Sequence, residues 1–239
     1  MELLKKYAYQ LNIPISEDQL LAFSIYERLL LEWNSKFNIT RITNHNDIQI
    51  KHFLDSITLC RFIPSLVPIP NSLVDIGSGG GFPGIPLKIM MPHIQLTLIE
   101  ATRKKCDFLL HLSKILNLTK VEVLNDRAET LGHQSKFRSR FDLVTSRALA
   151  QTATVVELSA GFCKNGGNII AWKSPKSANL SDGARVLSTL TSSESPKIIE
   201  HITTIPELAY SQSLVQIPKL ADIKIFYPRD NGIPKKRPL

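Results

Sequence analysis

The segment Leu73-Val74-Asp75-Ile76-Gly77-Ser78-Gly79-Gly80-Gly81-Phe82-Pro83-Gly84 constrains the fold more than any other part of the chain. A short apolar run enters a turn holding four glycines in five positions, and Pro83 follows where the first turn of a helix can accept it. Glycine lets the backbone turn sharply and lets a ligand lie against bare peptide groups, and a helix start behind such a turn favours negative charge. Elsewhere, short apolar runs at 96–99, 121–124, 141–145 and 168–172 alternate with helical stretches. In one of these stretches Phe108, Leu112 and Ile115 fall on one face, with Leu109 and Leu116 beside them. The alternation predicts right-handed strand–helix–strand units around a parallel sheet, with ligands held outside the carboxyl ends of the strands. Two further runs, 198–205 and 214–217, predict an antiparallel pair at one edge. The expected fold is therefore α/β and Rossmann-like, with about seven mostly parallel strands.

Residues 1–68 read as a helical extension ahead of a domain spanning 69–239. Ser16 and Gln19 have the spacing of a capping box, in which hydroxyl and amide each satisfy a backbone donor at a helix start. Behind them Ile25, Leu29 and Trp33 share a face with Tyr26, Leu30 and Phe37, a stripe wide enough to demand burial. A second helix is expected from residue 46 or 47 to about 62, ended by Pro64, Pro68 and Pro70. On it His52 and Asp55 are three residues apart and can touch, as a structural link between the helical cap and the sheet.

The glycines alone leave the ligand open, because Gly79 to Gly84 also satisfies G-x-G-x-x-G. Asp75 argues against a dinucleotide: a carboxylate just ahead of Gly77 would oppose a pyrophosphate but attract the ammonium and sulfonium of S-adenosylmethionine. Glu100, at the end of the second predicted strand, can accept from both ribose hydroxyls, as expected for either ligand. Both carboxylates are expected on a solvent-accessible rim. Asn125 to Glu129 follow the third strand, placed to flank an adenine, and Ser146-Arg147-Ala148 follow the fourth, where a transferred methyl would meet its acceptor. The Asp/Asn-Pro-Pro-aromatic segment that orients an exocyclic amine in many amino methyltransferases does not occur, which favours an acceptor that already offers a lone pair.

Net charge is +8, and the excess is uneven. Residues 1–100 hold eight Lys/Arg against nine Asp/Glu, residues 101–150 ten against five, and 201–239 six against three. A polyanionic partner explains that distribution, as does a generally basic bacterial surface. Arg103, Lys104 and Lys105 place three cations at a helix start, against the helix dipole, and an RNA phosphate would offset the conflict; a solvated face is the plainer reading. Lys235, Lys236 and Arg237 sit between Pro234 and Pro238, so the tail is expected to be non-helical and free to lie along a phosphate backbone. The competing expectation is that 227–239 folds back onto the sheet as a structural clasp, with Leu239 buried. Cys60, Cys106 and Cys163 are far apart and lack C-x-x-C spacing, so neither a metal site nor a disulfide framework is expected, and a cytoplasmic location is. No apolar run is long enough to cross a membrane.

Taken together, Asp75 to Pro86, Arg127-Ala128-Glu129 and Ser146-Arg147-Ala148 resemble the RsmG (GidB) family of bacterial 16S ribosomal RNA guanine-N7 methyltransferases. Trp33-Asn34, Asn38-Ile39-Thr40, His52 to Ser56 and the tail from Tyr227 to Leu239 resemble the same family, whereas 174–195 matches it poorly. The resemblance implies a class I S-adenosylmethionine-dependent fold with the small ribosomal subunit or its RNA as partner. It also implies cofactor contacts from Gly77, Gly79 and Phe82 in the loop, an adenosine bordered by Ala128 and Glu129, and Arg147 at the active site. The alternatives are a small-molecule methyltransferase, which leaves the basic tail unexplained, a nicotinamide-dependent dehydrogenase, which leaves Asp75 unexplained, and a non-catalytic RNA-binding regulator, which needs no cofactor loop.

Overall fold

The computed structural model describes residues 1–66, 69–174, 180–194 and 196–239. Its strands are β1 (Ser72–Ile76), β2 (Gln95–Ile99), β3 (Val121–Leu124), β4 (Phe141–Arg147), β5 (Cys163–Lys173), β6 (Ile199–Ile205) and β7 (Tyr210–Pro218). They form one seven-stranded sheet in the order β3-β2-β1-β4-β5-β7-β6. The pairs β2–β3, β1–β4 and β4–β5 are parallel, and β7 is antiparallel to both β5 and β6. The helices are α1 (Glu2–Gln10), α2 (Glu17–Asn34), α3 (His45–Asp47), α4 (Asp55–Ile57), α5 (Gly84–Met90), α6 (Arg103–Ile115), α7 (Ala128–Leu131), α8 (Thr152–Ala160), α9 (Leu180–Thr191) and α10 (Ile233–Lys236). Two compact units are distinguished, Met1–Asn71 with Ser78–Asn125, and Ser72–Gly77 with Asp126–Leu239.

In the first unit the capping box starts α2: Ser16 Oγ accepts from Gln19 N, and Gln19 Oε1 accepts from Ser16 N at 2.8 Å. The face of α2 that this start aims inward buries Leu20, Phe23, Tyr26, Leu29 and Leu30. The predicted second helix is a continuous helical run, α3, a π-helical stretch Ile48–Leu54, α4 and a 3-10 turn Thr58–Arg61. Pro68, one of the three prolines expected to end it, lies outside the described residues. On α6, Phe108, Leu109 and Leu112 are buried as the periodicity predicts, whereas Ile115 in the last turn is exposed. Lys88, on α5, is buried and donates to the carbonyls of Pro92 (2.7 Å) and Ile94 (2.6 Å), bonds that compensate its desolvation.

In the second unit β1 and β4 are buried along nearly their whole length, as expected of inner parallel strands. β5 is longer than its apolar run: it includes Gly166 and Gly167 and has a register irregularity against β4 between Phe141 and Leu143. β7 likewise begins at Tyr210, before its apolar part, because Tyr210 to Ser213 find partners on β6. Part of 174–195, the stretch of poor resemblance, lies outside the described residues, and 180–191 forms α9.

The tail differs from the free, non-helical segment expected. Residues 233–236 form the short α10, which the proline before Lys235 permits because it occupies the first turn. Tyr227 and Pro228 are buried. A Cβ on Gly132 would lie 3.1 Å from Pro228 Cδ, so glycine leaves the room into which that ring packs. Arg138 donates to four carbonyls, those of Gly132 (2.9 Å), Tyr227 (2.8 Å), Ile223 (3.2 Å) and Lys224 (3.0 Å). Arg229 grips Glu157 through Nε (2.8 Å) and Nη2 (2.6 Å), and its backbone N donates to the same carboxylate at 3.0 Å. Thr154 Oγ1 donates to Pro234 O, and Arg185 to Leu239 O, both at about 2.9 Å or less. The tail is therefore folded back as a clasp, but Leu239 is half-buried and not buried as that expectation had it, and Lys235, Lys236 and Arg237 stay exposed.

Candidate active site

Within the first unit, the loop after β1 is shaped by what surrounds it. Gly81 has φ +97°, and a Cβ there would meet Tyr26 Oη at 2.7 Å and Ile85 Cγ1 at 2.9 Å. Tyr26 itself donates its hydroxyl to Gly80 O at 2.5 Å, so α2 anchors the loop directly. The Phe82 ring is stacked on His52 (centroids 4.3 Å apart) and on Tyr26 (5.2 Å). The ring is thus packing, and what Phe82 can present to a ligand is its backbone. His52 also hydrogen-bonds Thr40 Oγ1 at 2.8 Å, so the link expected of it runs to Thr40 and Phe82.

Glu100, immediately after β2, is fastened at both oxygens. Oε2 accepts from Gly79 N at 2.9 Å and Oε1 from Thr102 N at 2.8 Å. Asn125 Nδ2 donates to Glu100 O at 3.1 Å and Ala101 O at 3.0 Å, fixing the end of β3 to the end of β2. Each carboxylate oxygen keeps a second lone pair, so Glu100 can hold the loop and still accept from two hydroxyls. At the start of α6, Arg103 donates to Asp107 at 3.1 Å and Lys104 Nζ lies 4.5 Å from the Phe37 ring centroid. These two contacts offset the helix-dipole conflict locally; Arg103 and Lys104 are exposed and Lys105 is half-buried.

Within the second unit, Asp75 is fully buried and Thr145, its register partner on β4, donates to its Oδ1 at 3.0 Å. The expected solvent-accessible rim is therefore corrected for both carboxylates: Asp75 is 0% exposed and Glu100 8%. Parallel strands buried on both faces carry even their terminal polar residues inward, where each must find hydrogen bonds. Gly77 has φ +70°, a conformation that side chains rarely adopt. At the end of β4, Arg147 is half-buried and Ala148 has φ +53°, an uncommon conformation for a non-glycine residue. The Ser146 hydroxyl is buried and finds no hydrogen-bond partner among the described residues. A buried hydroxyl of that kind beside Arg147 suits a position that meets a polar ligand. Ala128 and Glu129 are buried at the start of α7, and Glu129 Oε1 accepts from Gly232 N at 2.9 Å.

Spacing and composition pointed to Ser146 but not to Thr145, Arg138 or the Glu157–Arg229 pair. A signal for the last was present: Glu157 is the only charged residue in the apolar stretch Thr-Ala-Thr-Val-Val-Glu-Leu-Ser-Ala, which calls for a cationic partner. Burial pushes the Cys106 thiol up to about 11 and those of Cys60 and Cys163 up to about 12. The thiols are thus held protonated at neutral pH, which argues against a thiolate nucleophile. Among the described residues, no group of three His, Cys, Asp or Glu is placed to hold a metal ion, and no helix is long and apolar enough to cross a membrane.

A glycine turn after the first strand, a carboxylate ending the second and the strand order β3-β2-β1-β4-β5-β7-β6 together define a class I S-adenosylmethionine-dependent methyltransferase fold. The chain is similar to the structure of an O-methyltransferase from Bacillus cereus in complex with SAH, with a TM-score of 0.57 and 16% identity, covering 90% of this chain and 96% of that one. The model of the rRNA small subunit methyltransferase G family (GidB) matches residues 19–202. A ribosomal RNA small subunit methyltransferase G of Dehalococcoides mccartyi is 40% identical over 230 residues, 96% of this chain and 95% of that protein. One from Staphylococcus aureus is 38% identical over 228 residues, 95% of this chain and 93% of that protein. The chain belongs to the rRNA small subunit methyltransferase G family.

Proposed function

We propose that this protein transfers a methyl group from S-adenosylmethionine to N7 of a guanine in 16S ribosomal RNA, in the cytoplasm, with the small ribosomal subunit or its RNA as substrate. The observation that carries the reading is the family match over 19–202, a span that includes the glycine loop, Glu100, Ala128, Glu129 and Arg147. The residues fit the cofactor in kind: backbone without side chains at Gly77 and Gly79, both at positive φ, a carboxylate at Glu100 suited to a ribose, and a carboxylate at Asp75, a group that attracts a cation when ionised.

Bound, S-adenosylmethionine supplies an electrophilic methyl group on a cationic sulfur. Guanine N7 carries a lone pair and no proton at neutral pH, so the protein need only orient donor and acceptor and accommodate the charge that moves onto the base. That division of labour asks no proton transfer of Ser146 and Arg147 at the end of β4. In this reading Asp75, Gly77, Gly79, Phe82 (through its backbone), Glu100, Ala128 and Glu129 hold the cofactor. Arg147 engages an anionic or carbonyl group of acceptor or cofactor through its planar fork. Arg103, Lys104, Lys105, Lys235, Lys236 and Arg237 meet RNA phosphates, no metal takes part, and residues 1–68 act as the helical extension of a methyltransferase domain over 69–239.

The test is to incubate the protein with methyl-labelled S-adenosylmethionine and either naked 16S RNA or small subunits, then map labelled nucleosides by mass spectrometry. Label in 7-methylguanosine at one site is expected. Label on another base or atom, or none on either substrate, refutes the proposal.

A further inference from the structure

The clasp bears on Glu129 in a way the family resemblance does not explain. α7 is a single turn of four residues, too short to hold its own conformation, so tertiary contacts must impose it. Several contacts around it come from the chain's end. Gly232 N donates to Glu129 Oε1 at 2.9 Å, the Pro228 ring fills the space left by Gly132, and His133 Nε2 lies 2.7 Å from Pro228 O. Gly232 is itself fixed from both sides along the chain, by Arg229 on Glu157 and by Thr154 on Pro234 O. The Glu129 carboxylate, 8% exposed, thus already has a specific partner within the protein.

We infer that Glu129 is a positioning residue, whose carboxylate locks the C-terminal segment to α7 and thereby sets the backbone at Ala128–Glu129 on which adenosine recognition depends. The inference rests on the reading, given above, that these two residues border the adenosine. It assigns the side chain of Glu129 to the clasp and leaves its backbone to the cofactor. The C-terminal segment then belongs to the frame of the cofactor site, and its integrity governs cofactor affinity before any RNA is bound.

Three variants of the full enzyme test this: Glu129→Ala, Glu129→Gln and a chain ending at Asn231. Calorimetry gives the dissociation constant for S-adenosylmethionine, turnover on 16S RNA gives KM and kcat, and urea titration reports the fold. Glu129→Ala and the shortened chain should raise the dissociation constant and the cofactor KM about tenfold, the loss expected for one hydrogen bond to a charged group, with kcat at saturating cofactor within about twofold. Glu129→Gln keeps an oxygen that can accept from Gly232 N and should recover most of the affinity lost in Glu129→Ala, the rescue expected of a positioning side chain. Arg185→Ala, which removes the contact to Leu239 O, should leave cofactor affinity unchanged. Wild-type affinity in Glu129→Ala overturns the inference, as does equal loss in Gln and Ala, which would mean that the charge itself contacts the cofactor. Equal loss in Arg185→Ala overturns it too, since general loosening would then suffice. A parent protein that fails to bind S-adenosylmethionine instead overturns the functional reading beneath it, and is told apart from these outcomes by that measurement alone.

Discussion

Replacing Arg229 with alanine should cost more than replacing its partner Glu157 with glutamine. The Glu157 side chain is 0% exposed and that of Arg229 26% exposed, so the two ends of the ion pair are unequally placed to regain water. Arg229→Ala removes the Nε and Nη2 donors and strands a buried carboxylate, for which a penalty of about 3–5 kcal/mol is typical. The Arg229 backbone N–H survives the substitution and still donates to Glu157, which places the expected cost near the lower end, about 3 kcal/mol. For a chain of this length that corresponds to roughly 6–12 °C in Tm. Glu157→Gln keeps the shape and an acceptor and leaves a guanidinium that can turn to solvent, so about 1–2 kcal/mol is expected. Joining both changes removes the stranded charge, and the double variant should lie near Glu157→Gln alone, which amounts to a coupling of about 3 kcal/mol, the cost of Arg229→Ala by itself. Urea titration of the four proteins, compared at a common m value, measures all of this. If Arg229→Ala costs no more than Glu157→Gln, or if deleting 229–239 leaves the midpoint where it was, the clasp does not contribute to stability and the reasoning fails.

Three further outcomes follow from the candidate site. Glu100→Ala should weaken S-adenosylmethionine binding roughly tenfold to over a hundredfold, and Asp75→Ala likewise; because both carboxylates are buried and hydrogen-bonded, each variant should also lose stability, and unchanged affinity in calorimetry would remove them from the site. Arg147→Lys should depress methyl transfer far more than cofactor binding if the guanidinium orients the acceptor, whereas parallel losses would place it on the cofactor and normal turnover would exclude it. Changing Lys235, Lys236 and Arg237 together to glutamine should leave Tm unaltered, since all three are exposed, while lowering the log–log salt slope of RNA binding by up to about 0.7–0.9 per lost phosphate contact. An unaltered slope would show that the tail's charges do not touch RNA.

Much of the architecture was legible because it is written in local periodicity. The strands from 72 to 147 lie within one or two residues of their apolar runs, and Ser16 with Gln19 marks the start of α2. β6 matches its run within one residue, whereas β5 and β7 extend beyond theirs, since polar residues such as Gln212 and Ser213 enter a strand only when a neighbouring strand satisfies them. α1 falls inside the expected helical region, but its bounds are not marked in the sequence: among the described residues no side chain caps its start, and Gln49 from a distant part of the chain accepts from Leu3 and Leu4 N. The order of the cofactor-loop residues along the chain was equally plain, as was the family they resemble.

What the sequence determined by itself is the kind of fold and the kind of ligand: glycines where the backbone must turn at positive φ, carboxylates at strand ends, and a pattern that alternates between strand and helix. Tertiary structure alone decided which of those groups are spoken for. It buried Asp75 against Thr145, gave both oxygens of Glu100 to backbone amides and packed the Phe82 ring between Tyr26 and His52. It also drew the tail from solvent onto Glu157 and Glu129. The reason is that a residue's propensity and spacing are local, whereas the partner that satisfies a buried charge is set by what distant chain segments bring to it. Arg229 lies 72 residues from Glu157, and Gly232 lies 103 from Glu129, so only the folded chain brings these groups within hydrogen-bonding distance.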